Sequence, residues 1–222
     1  MKSGVITGDI VDSSKISPKV REALYKGLEA YFKILENKKK GFKAETNQGD
    51  WFQAYCKDVS QILRYALLIK TWLKSFPVED GNLKFKKEMP KSVDARMTLG
   101  IGEVDFLSSR LGNSDGAAFR LSGRLLEKIK KTSRTLAVEV EDKKEINQEL
   151  EVMFQMLDFI IGKTTSLQCQ VIHRKLQGMK ETEIAAELKI LQSAVNQRST
   201  AAGWNVIETA LNRFEFVIAS QV

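Results

Sequence analysis

Asp9 and Asp50, both in the first quarter of the chain, lie next to predicted β-strands, and their positions there are expected to bring two carboxylates to one end of a sheet. Ser3–Thr7 predicts a short buried strand, which Gly8-Asp9 brings to an end. Two further strands flank Gly49-Asp50, a hairpin in which Gly49 permits a positive φ angle. In a split βαβ sheet the first strand lies beside such a hairpin, so Asp9 and Asp50 are expected to approach each other. Two carboxylates there suit Mg²⁺ bound to a triphosphate, and a plain loop or cap role is the alternative for Asp9.

The elements that must position these carboxylates alternate along the chain. Strand patterns cover 3–7, 42–46, 51–55, 93–101 and 136–140, and helical periodicity covers a segment from Ser17-Pro18 onward, 59–74 and 115–131. Residues 77–90 show no clear periodicity and predict an exposed loop. The order β-α-β-β-α-β, followed by a further helix and strand, predicts an α+β fold. This is a ferredoxin-like split βαβ sandwich whose antiparallel sheet carries helices on one face.

The pattern changes near Glu141 from mixed elements to helices alone. A charged stretch opens a predicted helix that runs to about Gly162, and strand signals are lacking after it. We therefore predict an α/β domain over 1–140, a linker helix over 141–163 and an all-α domain over 164–222. The single histidine, His173, lies in an amphipathic helix of the last domain, where a surface or cap position is expected.

The segment Met179–Ala202 has the spacing of a helix-turn-helix. Ala185 is small where two helices must cross closely, and Ile184 and Val195 are apolar where the corner must be sealed. The second helix, 192–202, contains no acidic residue. It is expected to expose five polar side chains, those of Gln192, Ser193, Asn196, Gln197 and Arg198. Such side chains hydrogen-bond base edges or phosphates in the DNA major groove. The alternative is a small helical bundle with the same spacing and no DNA partner.

The charge of the chain permits a nucleic-acid partner without establishing one. The formal net charge is +7, but residues 84–134 hold 12 basic against 6 acidic residues, whereas 164–222 hold 6 against 5. The basic excess therefore lies outside the segment predicted to contact DNA. The sequence has no signal-peptide pattern and no apolar run of membrane-spanning length, so a cytoplasmic protein without a membrane partner is expected.

Five groups of residues stand out together. They are Gly8-Asp9-Ile10-Val11-Asp12-Ser13, Gly49-Asp50-Trp51-Phe52-Gln53, Gly100-Ile101-Gly102-Glu103, Asp115-Gly116-Ala117-Ala118-Phe119, and Gln192-Ser193-Ala194-Val195 with Ala202-Gly203-Trp204. With them the first half of the chain resembles the class III nucleotide cyclase fold. Nearly the whole chain resembles the SatD-like family of bacterial proteins, which supports the architecture more than any activity.

The cyclase resemblance implies roles for individual residues. Asp9 and Asp50 match the two metal-binding aspartates, so Mg²⁺ with a nucleotide is the implied cofactor, and Gly49, Asp50 and Arg124 would bind that nucleotide. Arg124 matches the arginine that stabilises charge during phosphoryl transfer. Arg120 stands where the resemblance expects the asparagine that orients the ribose. Two chains complete each site in that family, which implies a homodimer.

Arg120 and Arg124 are thus the candidate catalytic residues, and contact with a partner subunit or with DNA phosphates is the alternative for both. The leading functional prediction is a DNA-binding transcription regulator whose α/β domain senses a nucleotide or mediates dimerisation. The alternative is a divergent metal-dependent nucleotide cyclase or phosphotransferase with a binding tail. A third interpretation is a dimeric interaction protein that binds neither DNA nor nucleotide.

Overall fold

The computed structural model of the chain describes residues 2–47, 49–77 and 92–222. The strands are β1 (Ser3–Ile10), β2 (Phe42–Thr46), β3 (Trp51–Cys56), β4 (Ala95–Gly102) and β5 (Leu136–Val140). The helices are α1 (Pro18–Lys38), α2 (Ile62–Ser75), α3 (Ala117–Ile129), α4 (Lys144–Lys163), α5 (Ser166–Leu176), α6 (Glu181–Leu188), α7 (Gln192–Ala201) and α8 (Trp204–Gln221). Apart from Pro77, the loop predicted at 77–90 falls outside the described residues.

The strands of the described residues form one five-stranded sheet in the order β2-β3-β1-β4-β5. The central strand β1 pairs antiparallel with β3 and with β4, and β5 is added parallel to β4. The first strand therefore lies beside the hairpin, as the split βαβ arrangement requires. In this register Asp9 is opposite Trp51 on one side and Arg96 on the other. The α+β fold predicted from the sequence is confirmed.

Helices cover both faces of the sheet, so the prediction of helices on one face is wrong for α3. On one face Ile6 and Ile10 join α1, α2 and α4 in the main core, whereas Val5 contacts α3 on the other face. At Gly100 a Cβ atom would lie 2.2 Å from the carbonyl oxygen of Ala118, so only glycine lets α3 approach β4 this closely. Sequence periodicity identifies apolar positions but does not show which face a helix will cover.

The C-terminal helices pack on each other and on the sheet domain. Val171, Ile184, Ala185 and Val195 form a small core among α5, α6 and α7. Helix α8 returns to the main core, where Phe214 lies against Phe154 of α4 with ring centroids 6.0 Å apart. The division into separate units at 140 and 163 stays a prediction. Among the helices in the described part of the chain, none has the length and apolar character needed to cross a bilayer.

A buried charge cluster lies where β4 and β5 begin. The Lys70 side chain is fully buried, and its Nζ atom donates to Asp94 Oδ1 at 2.7 Å, to the Ala95 carbonyl oxygen at 2.7 Å and to Thr135 Oγ1 at 2.9 Å. Lys74 Nζ lies 3.5 Å from Asp94 Oδ2. Burial acts to raise the pKa of Asp94, but the charges of the two lysines outweigh it and hold that pKa below its usual value. The cluster ties α2 to the starts of two strands.

His173 is buried rather than on a helix surface, which corrects the sequence prediction. With its proton on Nδ1, the neutral ring donates to the Leu68 carbonyl oxygen at 3.1 Å, and Nε2 accepts from Gln177 Nε2 at 2.7 Å. Both ring nitrogens are therefore satisfied without charge. Burial lowers the pKa of His173 from 6.5 to about 4.

This histidine predicts a specific loss of stability in acid. Because its pKa is 6.5 in the unfolded chain and about 4 in the fold, its stabilising contribution is complete above pH 6.5 and is lost as the pH falls toward 4. We expect the free energy of unfolding to fall by about 3 kcal/mol more in the wild type than in His173→Gln between these limits. Urea denaturation of both proteins across the range measures this, and parallel pH profiles would contradict it.

Candidate functional site

Asp9 lies at the end of β1, on the face of the sheet that α3 covers. Its side chain is only 12% exposed, and its Oδ2 atom lies 3.7 Å from Arg96 Nη1 and 3.9 Å from Lys130 Nζ. Arg96 comes from the neighbouring strand β4, and Lys130 directly follows the last residue of α3. Two cations from different elements thus meet one buried carboxylate.

Asp50 reaches the same end of the sheet through the hairpin. Gly49 has φ +85°, the positive value predicted for this turn, and Ile10 N donates to the Asp50 carbonyl oxygen at 3.0 Å. The Asp50 side chain accepts a hydrogen bond at Oδ2 from Ser13 Oγ at 2.8 Å. Burial raises the pKa of Asp9, Asp50 raises it further, and Lys130 and Arg96 act in the opposite direction. The backbone hydrogen bond from Ile10 places Asp50 beside the end of β1 that carries Asp9.

Three buried polar atoms on this face have no hydrogen-bond partner within the residues that the structure describes. They are Asp9 Oδ1, Gln53 Oε1 and Arg96 Nε. Gln53 is opposite Thr7 in the β1–β3 pairing, two positions from Asp9 along β1. Buried polar atoms are nearly always hydrogen-bonded in folded proteins, to protein or to water. A cluster of unsatisfied donors and acceptors is typical of a place that receives water or a polar ligand.

The arrangement around Asp9 does not favour a bound Mg²⁺. Asp9 and Asp50 offer the two carboxylates that a nucleotide-bound Mg²⁺ needs, but Arg96 and Lys130 already bring two positive charges to Asp9. Among the described residues, no group of three or more histidine, cysteine, aspartate or glutamate side chains is arranged to hold a metal ion. The metal-ligand role of the two aspartates stays a prediction.

Neither candidate arginine of α3 forms an ion pair with Asp9 or Asp50 among the residues that the structure describes. Arg120 forms ion pairs with Asp115 Oδ1 at 2.7 Å and with Asp105 Oδ2 at 3.5 Å. Arg124 is exposed and makes no hydrogen bond or ion pair with the described residues. Both line an open groove of about 1120 Å³ between α3, β5 and the start of α4. Within one chain, Arg124 is therefore not paired with Asp9 or Asp50.

The five polar residues predicted to contact DNA lie on α7. Val195 and Ser199 bury one side of this helix, and Gln192, Ser193, Asn196 and Gln197 are exposed on the other, with Arg198 half-buried. Within the described ranges, none of these five side chains makes a hydrogen bond or ion pair. A three-residue turn separates α6 from α7, and it begins with Lys189 in the left-handed conformation at φ 55°. Helix α7 thus presents polar side chains that have no partner within the described part of the chain.

The structure adds three residues that the sequence did not identify, namely Ser13, Arg96 and Lys130. Ser13 stands inside a motif already noted, four residues after Asp9. Arg96 alternates with apolar Ala95 and Met97, a pattern that places it on the face opposite to the main core. Only the strand register reveals that Arg96 is opposite Asp9.

No protein-family model matches the chain, and no curated protein matches it. Solved structures similar to it include a bacterial light-regulated adenylyl cyclase, at 16% identity and TM-score 0.41, covering 62% of this chain and 74% of that one. Another is the GGDEF domain of DgcB from Caulobacter crescentus in complex with c-di-GMP, at 10% identity and TM-score 0.44, covering 64% and 77%. A third is the dimeric guanylyl cyclase domain of the RhoGC fusion protein from Blastocladiella emersonii, at 16% identity and TM-score 0.40, covering 67% and 83%. The assignment of the fold rests on the strand order and pairing described above.

Proposed function

We propose that this protein is a DNA-binding transcription regulator that reads the major groove with α7. The observation that carries the proposal is the exposed polar face of α7, whose five side chains form no hydrogen bond or ion pair with the described part of the chain. Amide and hydroxyl groups on a helix of this kind match the donors and acceptors of base edges. The helix-turn-helix, with α6 and α7 as its two helices, is part of this proposal.

The acidic residues of α6 each have a partner within the chain. Glu181 pairs with Lys175 at 2.8 Å, and Glu187 pairs with Arg174 at 2.7 Å. Glu183 accepts a hydrogen bond from the backbone N–H of Lys180. Because Glu181 and Glu187 are paired with cations and Glu183 accepts a backbone hydrogen bond, these carboxylates oppose the approach of DNA phosphates less than free carboxylates would.

The α/β part is proposed to regulate DNA binding, by sensing a nucleotide or by holding two chains together. The unpartnered atoms of Asp9, Gln53 and Arg96 support a polar ligand on the α3 face. A homodimer would place two α7 helices on one two-fold DNA site. Membership of the SatD-like family belongs to the same proposal.

Duplex binding at two salt concentrations tests the proposal. Residues 164–222 carry 6 basic and 5 acidic residues, so α5 to α8 neutralise few phosphates and the salt dependence should be shallow. A steep dependence would show that the basic 84–134 region also contacts DNA. Absence of duplex binding at the lower salt concentration would contradict the proposal.

The alternative, a divergent cyclase or phosphotransferase, is favoured by one observation, the position of Asp50 beside the end of β1 that carries Asp9, where Ile10 N donates to the Asp50 carbonyl oxygen at 3.0 Å. We expect little cyclic nucleotide when the purified protein is given ATP or GTP with Mg²⁺ or Mn²⁺. Arg120 replaces the expected ribose-orienting asparagine and is paired with Asp115, and poor positioning of the ribose costs orders of magnitude in phosphoryl-transfer rate. Chromatographic detection of the cyclic nucleotide measures this, and robust cyclisation would favour the enzyme over the transcription regulator as the function of this protein.

A further inference from the structure

An apolar stripe runs along the outer side of α4. Val152, Met156 and Phe159 follow each other at steps of four and three residues, and the side chains of Met156 and Phe159 are each 63% exposed. These steps place all three on one face of the helix. Large apolar side chains clustered in this way on a surface mark an interaction site.

The stripe borders a groove of about 470 Å³ between α4 and α8. Its apolar lining includes Met153, Leu157, Ile160, Val206 and Ala210. At one end Arg213 Nε donates to Glu149 Oε1 at 2.8 Å, which joins the two helices across the groove. A protruding stripe next to a groove on the same surface is what a self-complementary interface requires, because a two-fold axis brings each stripe to the other chain's groove.

The charges of α4 fit the same symmetry. Glu149 lies seven residues before Met156, and Lys163 lies seven residues after it. At 1.5 Å per residue both charges are about 10 Å from Met156, on opposite sides. If two α4 helices pack antiparallel with Met156 at the axis, Glu149 of each copy, which pairs with Arg213 of its own chain, faces Lys163 of the other, whose Nζ lies 4.0 Å from the centroid of its own Phe159 ring. Opposite charges then meet at both ends of the apolar contact.

We propose that this stripe and groove form a homodimer interface in which two copies of α4 pack antiparallel about Met156. Phe159 of each copy enters the groove between α4 and α8 of the other. The near-antiparallel packing is the geometry that helix ridges and grooves favour at small crossing angles. This interface concerns the chain itself and does not require that α7 bind DNA.

Sedimentation of the full chain over a dilution series tests the interface. We expect a wild-type dimer, and we expect Met156→Glu to weaken it by roughly 100-fold or more, because two carboxylates would face each other at the axis. Ile34→Glu is the matched control, since Ile34 is an exposed apolar residue on α1, outside the stripe and groove, and this variant should dimerise like the wild type.

A second variant keeps the proposal testable if Met156→Glu fails to fold. Cys56 and Cys169 are both buried, so Met156→Cys adds a single accessible thiol. Under mild oxidation with oxygen, two such thiols lose their protons and two electrons to the oxidant and form one disulfide across the axis. A wild type that stays monomeric, a dimer unaffected by Met156→Glu, or a cysteine variant that does not cross-link overturns the interface. A monomer that still selects a DNA sequence would overturn the interface alone and leave the proposed function standing.

Discussion

Asp94→Ala is expected to lower the free energy of unfolding by about 3–5 kcal/mol, because it leaves buried positive charge without its partner. The Lys70 side chain is fully buried and that of Lys74 is 4% exposed, and both are within ion-pair distance of this one carboxylate. Asp94 Oδ1 also accepts a hydrogen bond from Ala95 N at 2.8 Å, which the substitution removes. Chemical denaturation monitored by circular dichroism measures the change.

Two controls separate this prediction from a general effect of removing charges. Glu22→Ala breaks a solvent-exposed pair with Lys26 on α1, and such exposed pairs contribute little to stability. Lys70→Met should also be destabilising, because it removes the donor to the Ala95 carbonyl oxygen and to Thr135 Oγ1, but it should cost less than Asp94→Ala, because it removes a buried charge and leaves Asp94 near Lys74. If Asp94→Ala were no more destabilising than Glu22→Ala, the cluster would not hold α2 to β4 as described.

The second large effect is expected on DNA recognition by α7. Replacing Asn196 and Gln197 together with alanine should relax or abolish sequence preference, because each amide that binds a base edge with two hydrogen bonds contributes about 1–3 kcal/mol of discrimination. That energy corresponds to roughly a 5- to 150-fold decrease in affinity for the specific site per amide removed. Mobility shifts on specific and bulk duplexes measure both affinities. Neither side chain makes an intrachain hydrogen bond within the described residues, so the fold should be unaffected.

Arg198→Ala should behave differently from the double variant. A guanidinium group that pairs with phosphate contributes to every sequence alike, so its removal should weaken specific and bulk binding by similar factors. Asn212→Ala is the matched control, because Asn212 is an exposed amide on α8, outside α7. Equal decreases in specific binding from the double variant and from Asn212→Ala would contradict the proposal that α7 recognises the DNA sequence.

Much of the architecture could be predicted because it depends on local periodicity and chain order. The alternation of strands and helices predicted that β1 lies beside the hairpin, and the sheet order confirms it. The position of α3 depended on a close approach at Gly100, which is a property of two packed backbones. No period within α3 reveals which side of the sheet it will cover.

The candidate site likewise contains some contacts that could be predicted from the sequence and others that could not. That Asp9 and Asp50 lie at the same end of the sheet could be predicted from topology alone, and the strand pairing places them there. Arg96 and Lys130 could not be predicted as partners of Asp9, because the first depends on strand register and the second on where α3 ends over the sheet. The burial of His173 depends on a carbonyl of α2 and on Gln177, which satisfy the neutral ring.

Competitive selection from genomic fragments tests the central claim, sequence-specific DNA binding by α7, most directly. The intact protein is incubated with fragments in the presence of excess bulk DNA, and bound fragments are recovered and measured again by mobility shift. We predict that a subset of fragments outcompetes bulk DNA for the wild type and no longer does so for the variant that combines Asn196→Ala and Gln197→Ala. If no fragment outcompetes bulk DNA, the polar face of α7 serves another partner and the proposed function is wrong.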